Sequence, residues 1–262
     1  MMTTETYMES KLRETGEFLA DYTSWLCGSG ATCIRIEKNV GRMSRALGVE
    51  TGVTVMPRHI QLSLTVPGVP GQKIFVSPIR KCGINFTLNT ELSRLSWRIA
   101  DNHLDLDTSR RLFGHIISAP VGGKRAIPLL ASLANASFCR LFGGDAASML
   151  VVFLATLLGF YLKQWMLGCG RDLRLTFVCC AFVSASVCAG ATLFGWGDTP
   201  GIAMATSVLY LIPGVPYINS ASDLIDGHYL CSFSRFVDAC VLTACLSIGL
   251  CAAIAIFGLK YF

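Results

Sequence analysis

Hydrophobic and polar positions follow two different regimes along this chain. In residues 5–26, Tyr7, Leu12, Leu19, Tyr22 and Leu26 recur at near-helical intervals, which predicts an amphipathic helix closed by Gly28-Ser29-Gly30. A second helix is expected from Thr32 to Leu47, ended by Gly48 and carrying Arg35, Lys38, Arg42 and Arg45 on one face. That face reads either as a contact for anions or lipid headgroups or, more simply, as an ordinary solvated face. From Thr51 the period changes to two: VTVMPRHIQLSLTV and KIFVSPI alternate apolar and polar residues, with Pro67-Gly68-Val69-Pro70-Gly71 as the turn between them. Helical spacing returns in NTELSRLSWRIADNHL and TSRRLFGHII. Residues 1–119 are therefore expected to form a small α+β domain with a hairpin or three-stranded sheet.

Beyond residue 125 the alternation gives way to apolar runs at roughly 126–142, 146–166, 173–195, 200–226 and 236–258, each close to the ~20 residues that cross a bilayer. The expected fold class is thus an α-helical membrane protein, with a transmembrane domain over residues 120–262 containing five transmembrane segments, one of them Pro/Gly-broken, behind an N-terminal cytosolic α+β domain. Charge agrees with this division. Residues 1–125 hold 16 Lys/Arg and 11 Asp/Glu, whereas residues 126–262 hold 6 and 6. The N-terminus lacks the apolar core of a signal peptide. Lys124, Arg125, Lys163, Arg171, Arg174 and Arg235 fall on one side of the expected spans. The opposite loops carry Asp145 and Asp198, with Arg140 at a helix end. The positive-inside rule then predicts a cytoplasmic N-terminus and an external C-terminus at Phe262.

The broken segment, DTPGIAMATSVLYLIPGVPYINSASDLIDGH over 198–228, holds the most chemistry. Pro213 and Pro216 donate no backbone N–H, so the carbonyls one turn earlier, near Leu209 and Ile212, are expected to lose their partners. Gly214 loosens the backbone further. Transporters place substrates at such interruptions, where the N-terminus of a half-helix favours an anion. The candidate substrate-binding residues are Pro213, Gly214, Pro216, Tyr217, Asn219 and Ser220, with Asn219 and Ser220 as hydrogen-bond donors. Asp223 and Asp226, facing a cytosolic vestibule, are the candidates for proton or ion coupling. A proline-kinked helix that only shapes packing fits the same residues. Asp238, in the last apolar segment, is placed to pair with Arg235 at i, i+3.

Other chemistry is sparse. No GxSxG, HExxH or phosphate-loop frame occurs, Gly122-Gly123-Lys124 included, and no catalytic residues are assigned. Asp101, Asp105 and Asp107 near His103 fit a polar interhelical loop better than a metal site. Most of the 12 cysteines lie in apolar segments, and Cys27, Cys33 and Cys82 match neither zinc nor redox spacing, so free thiols, no metal and no cofactor are expected. The net charge of +5 is interleaved with acids and lacks an aromatic platform, which argues against nucleic acid as a partner. Small residues recur at four-residue steps in Ala181, Ala185 and Ala189 and in Ser184 and Cys188, and Cys240, Ala244, Cys251 and Ala255 share a face of the last helix, as close helix packing requires.

The segment 198–228 resembles the signature of the threonine/serine exporter (ThrE) family around its proline-broken helix, in the split form of its YjjP-like subunits. Weaker matches are Arg45-Ala46-Leu47-Gly48, Gly83-Ile84-Asn85 and Leu141-Phe142-Gly143-Gly144, while Asp238 lies outside the pattern. The resemblance implies a bacterial inner-membrane exporter subunit for small carboxylate metabolites, succinate-like or threonine and serine. It further implies a small YjjB-like membrane partner and an oligomeric assembly. A membrane-anchored sensor or enzymatic domain is the alternative reading.

Overall fold

The computed structural model describes residues 4–68, 71–119 and 126–258, with side chains from Ser10 onward. Val69 and Pro70 of the expected turn, the Gly122-Gly123-Lys124 and Arg125 stretch, and Phe262 lie outside the described residues. The chain forms two compact units. One takes in Met1–Pro120 together with Val215–Phe236; the other takes in Val121–Gly214 together with Val237–Phe262. Val215–Phe236 thus packs with the N-terminal unit, although in sequence it lies within the apolar half.

In the first unit, helices α1 (Thr4–Gly28) and α2 (Cys33–Ala46) precede strands β1 (Glu50–Val55), β2 (His59–Thr65) and β3 (Lys73–Pro78), and helices α3 (Phe86–Asp101) and α4 (Leu106–Ser118) follow. The strands form an antiparallel meander in the order β1-β2-β3, with Val53 opposite Leu62 and Leu62 opposite Phe75. Central β2 has the strictest alternation. Ile60, Leu62 and Leu64 are fully buried, while His59 points outward. Period two separates these faces, so a one-residue slip would expose the whole buried set.

The helices supply the other side of this core. Leu19, Tyr22 and Leu26 of α1, Ile36, Val40 and Met43 of α2, Leu92, Leu95 and Ile99 of α3, and Phe113 of α4 share it. Their spacings of three and four residues make one stripe per helix. Tyr22 places its hydroxyl, buried with it, on the Leu92 carbonyl at 2.9 Å, and burial raises the pKa of that phenol. Gly16 lets the Phe75 ring lie against α1, because a Cβ there would collide with the ring. Asn85 and Asp105 cap α3 and α4 by accepting from Leu88 N and Thr108 N. Asp105 is therefore committed to a helix start within the polar loop.

The basic face of α2 also resolves. Arg35 donates to Asn89 at 2.8 Å, Arg42 donates to Ser96 at 2.5 Å, and the Arg42 guanidinium lies 3.5 Å from the Trp97 ring centroid. Asn39, itself buried, donates to Ser93 at 3.0 Å. Two of the four basic residues therefore hold α3, and for Arg42 the planar guanidinium also stacks on Trp97.

In the second unit α5 (Ala126–Leu141), α6 (Ala146–Gly168), α7 (Leu173–Leu193) and the short α8 (Pro200–Ser207) lead into a 3-10 turn at Leu209–Leu211. Helix α9 (Gly214–Ile225) then begins, and α10 (Tyr229–Ile256) passes from the first unit to the second at Val237. Among the described residues, three helices are long and apolar enough to cross a membrane: α6, α7 and α10. The count is four if α8 to Leu211 and α9 are taken as one broken span. α5 is apolar but has 16 residues, so the expected five spans are not reached by length.

Small residues govern the packing here. On α7, Ala181, Ser184, Ala185, Cys188 and Ala189 are all buried. On the part of α10 in this unit the buried positions are Ala239, Leu246, Gly249 and Ala253, and the expected packing stripe Cys240, Ala244, Cys251 and Ala255 is instead exposed. Four-residue spacing alone marks several faces of such a helix equally well. Gly249 decides between them, because a Cβ there would strike the Val178 carbonyl and crowd the Ala181 methyl. The N-caps are again acidic: Asp145 opens α6 and Asp172 opens α7. Ser148 and Thr199 hydrogen-bond the Asp145 carboxylate and hold its pKa well below the usual carboxylate range.

Leu62→Ala removes a fully buried side chain from the central strand and should cost about 2–5 kcal/mol, whereas Val76→Thr on the exposed side of β3 should stay within about 0.5 kcal/mol. Thermal melting of the full chain in detergent checks both.

Candidate functional site

The Pro213 break is closed locally. Leu209 O accepts from Ile212 N at 3.1 Å and Ile212 O from Gly214 N at 2.8 Å. The expectation that these carbonyls go unpartnered is therefore corrected, because the chain tightens into a 3-10 turn before the proline. α9 begins at Gly214, so Asn219 and Ser220 stand in its second turn, beyond the free N–H groups of its start. Pro213 is buried, and Gly214, Pro216 and Tyr217 are half-buried. Tyr217 packs edge-on to Phe236 with ring centroids 5.9 Å apart.

The polar residues after the break face the N-terminal unit to which they belong. Asn219 Nδ2 donates to the Gly30 carbonyl at 2.9 Å. Ser220 and Ser232 exchange hydroxyl-to-carbonyl hydrogen bonds of 2.8 and 2.7 Å, stitching α9 to the first turn of α10. Gly30, with φ at +91°, makes the α1–α2 turn that presents its carbonyl.

Asp223 is the centre of this arrangement. It has no solvent exposure. Its Oδ1 accepts from the backbone N–H of Cys33, the first residue of α2, at 2.8 Å. The positive end of the α2 dipole thus meets a buried carboxylate. Its Oδ2 lies 2.9 Å from Arg235 Nη1, an ion pair whose angle falls outside hydrogen-bond geometry. Arg235 Nη2 donates to the Ala31 carbonyl at 2.8 Å. Asp223 therefore does not face a vestibule, and Arg235 pairs with it rather than with exposed Asp238. Asp226 is exposed, with Ser222 Oγ 3.4 Å from its carboxylate. His228 reaches Glu37 of α2 at 3.5 Å.

Three thiols line the same buried pocket. Cys33 and Cys231 are both buried, and their sulfurs and an Asp223 oxygen lie within 4.8 Å of one another. The Cys33 thiol is held well above its ordinary pKa, first by its hydrogen bond with Cys231 and then by burial. Burial pushes the nearby Cys27 up to about 11. Sequence spacing does not reveal this group, since roughly 200 residues separate Cys33 from Cys231.

The second unit has its own polar seam, which sequence reasoning passed over. Asn135 of α5, buried in an apolar helix, donates to Thr156 Oγ1 at 2.7 Å and to Thr206 O at 3.0 Å. Tyr210 Oη and Ser184 Oγ are 3.0 Å apart, and Ser184 also donates to Ala155 O. Gly159 makes room for both hydroxyls, as a Cβ there would collide with them. Asn135 and Tyr210 face a cavity of about 520 Å³ walled by Phe138, Phe160, Leu209 and Ile212. A polar residue inside an otherwise apolar run is the signal that could have found Asn135.

Compared with known proteins, the chain matches the family described as "Putative threonine/serine exporter" over residues 17–257. It belongs to that family. It is 27% identical over 241 residues to the "Probable succinate transporter subunit YjjP" of Klebsiella aerogenes, covering 90% of this chain and 91% of that protein. It is 28% identical over 243 residues to the protein of the same description from Escherichia coli K12, covering 90% and 92%. No solved structure matches. The exporter family and the apolar helices together make this a multi-pass membrane protein of the transport class.

Removing one partner of the buried pair should be expensive: Asp223→Ala or Arg235→Ala alone is expected to cost about 3–5 kcal/mol, because the other charge is left buried. The double variant Asp223→Ala with Arg235→Ala should cost clearly less than the sum of the two single losses. A double-mutant cycle read by thermal melting in detergent checks the coupling.

Proposed function

We propose that this chain is one subunit of an inner-membrane exporter of small carboxylate metabolites, succinate-like dicarboxylates or threonine and serine, working with a small YjjB-like membrane subunit in an oligomer. The observation that carries this is the likeness, over nine-tenths of both chains, to proteins named as succinate transporter subunits. In this reading α5 completes five crossings, the α+β domain lies on the cytosolic side, and the C-terminus lies outside. Loop charge supports the orientation.

The substrate site is proposed at Pro213, Gly214, Pro216 and Tyr217, where a helix starts beside an interruption, with Asn219 and Ser220 as donors. Asn219 and Ser220 already bond Gly30 O and Ser232 O, so they reach a substrate only in a second conformation that exchanges those bonds. Alternating access requires such a change. Asp226 is the accessible carboxylate for proton coupling, and Asp223 takes part only when Arg235 releases it. One observation favours a regulatory reading of the N-terminal unit: a polar cleft of about 450 Å³ bordered by Lys11, Glu14, Thr15, His103 and Asp105.

Cells preloaded with labelled succinate and threonine, expressing the chain with and without a YjjB-like partner, test the proposal. Succinate efflux only with the partner is the expected result, and threonine efflux would place the chain with amino-acid exporters. Absence of both, with each subunit confirmed in the membrane, would refute export. Pro213→Ala combined with Gly214→Leu should reduce efflux at least about tenfold while leaving the protein in the membrane, equivalent to about 1.4 kcal/mol; intact efflux would remove the substrate site from this break.

A further inference from the structure

The buried pocket around Asp223 is built from groups that bind metal. Cys33 Sγ, Cys231 Sγ and an Asp223 carboxylate oxygen converge within 4.8 Å, on three different helices, all inside one compact unit. A tetrahedral zinc ion holds sulfur at about 2.3 Å and carboxylate oxygen at about 2.0–2.2 Å, which sets its ligands roughly 3.5–3.8 Å apart. A shift of a few tenths of an ångström to about an ångström brings the three atoms to that spacing.

Two further observations point to a ligand. Asp223 Oδ2 is fully buried and makes no directional hydrogen bond, although the Arg235 charge stands 2.9 Å away. A carboxylate has about four lone-pair positions, and only one is taken by a well-formed hydrogen bond, from Cys33 N to Oδ1. The second observation is charge. With both thiols protonated, Asp223 and Arg235 cancel. Entry of one divalent cation with release of two thiol protons leaves the pocket neutral again, so binding adds no net buried charge. Arg235 stays in place, anchored on the Ala31 carbonyl, as an outer partner that orients the liganding carboxylate.

We propose that Cys33, Cys231 and Asp223 form a binding site for one thiophilic divalent cation of the zinc class, tying the first turn of α10 and the middle of α9 to the N-terminus of α2. The fourth position of the ion is filled by a solvent molecule. Soft sulfur with a single oxygen donor selects zinc-like ions over magnesium or calcium, which take oxygen ligands. The site is independent of the substrate assigned above, and it would exist whether or not the chain exports succinate.

The full chain, purified in detergent under a non-thiol reductant, is titrated with Co²⁺ and then with Zn²⁺ as competitor. The expected result is one equivalent of cobalt with thiolate charge-transfer absorption and tetrahedral ligand-field bands, both bleached by zinc. Wild-type protein that shows no thiolate band overturns the proposal without any variant being made. Cys33→Ala and Cys231→Ala should each abolish the tetrahedral spectrum, while Cys169→Ser, at an exposed cysteine, should retain it. A spectrum unchanged in the Cys33→Ala/Cys231→Ala double variant also overturns the proposal, as does recovery of these two residues as a mutual disulfide under the reductant.

Discussion

A single buried charge pair on the start of α2 organises the N-terminal unit. Asp223 has no exposure, so its carboxylate must be met by protein. It is met by the first N–H of α2 and by the Arg235 guanidinium. Asn219 and Arg235 then take the Gly30 and Ala31 carbonyls of the turn between α1 and α2. These polar groups come from α9 and α10, and they explain why a segment written between apolar helices packs with the N-terminal unit. A buried pair of this kind adds little to net stability over an apolar substitute, but it penalises any arrangement that separates the partners.

The second unit rests on close approach instead. Gly159 and Gly249 remove side chains where hydroxyls and a backbone carbonyl arrive, and the Ala181, Ala185, Ala189 ladder keeps α7 narrow. Within this apolar bundle Asn135, Thr156, Ser184 and Tyr210 satisfy one another or backbone carbonyls. A buried polar group is costly unless it is paired, which makes their partners definite. A cavity of about 520 Å³ lies where that polar seam reaches Asn135 and Tyr210.

The proline break is a local feature of the stretch from Leu209 to Asp223. Its carbonyls are closed by a short 3-10 turn, a geometry weaker than a continuous helix. The side chains that follow are engaged: Asn219 donates to Gly30 O and Ser220 to Ser232 O. The Asp223–Arg235 ion pair then fixes the far end of this stretch within the N-terminal unit.

Much of this was legible in the residues. The period of two in HIQLSLT sets the buried face of β2, because side chains on a strand alternate. The helical stripe Leu19, Tyr22, Leu26 sets the buried face of α1, and apolar length marks α6, α7 and α10 as spans. Gly48 marks the end of α2 through local backbone chemistry, with φ at +77°. The break at Pro213 was legible too, but not how it closes, since that depends on the turn before it. The stripe expected to pack on α10, Cys240, Ala244, Cys251 and Ala255, is exposed instead, for the helix's small residues repeat on more than one face. The meeting of Cys33, Asp223, Cys231 and Arg235 was invisible for a stronger reason. Local periodicity carries no information about pairs nearly 200 residues apart, and only the folded chain decides which distant polar groups share a buried volume.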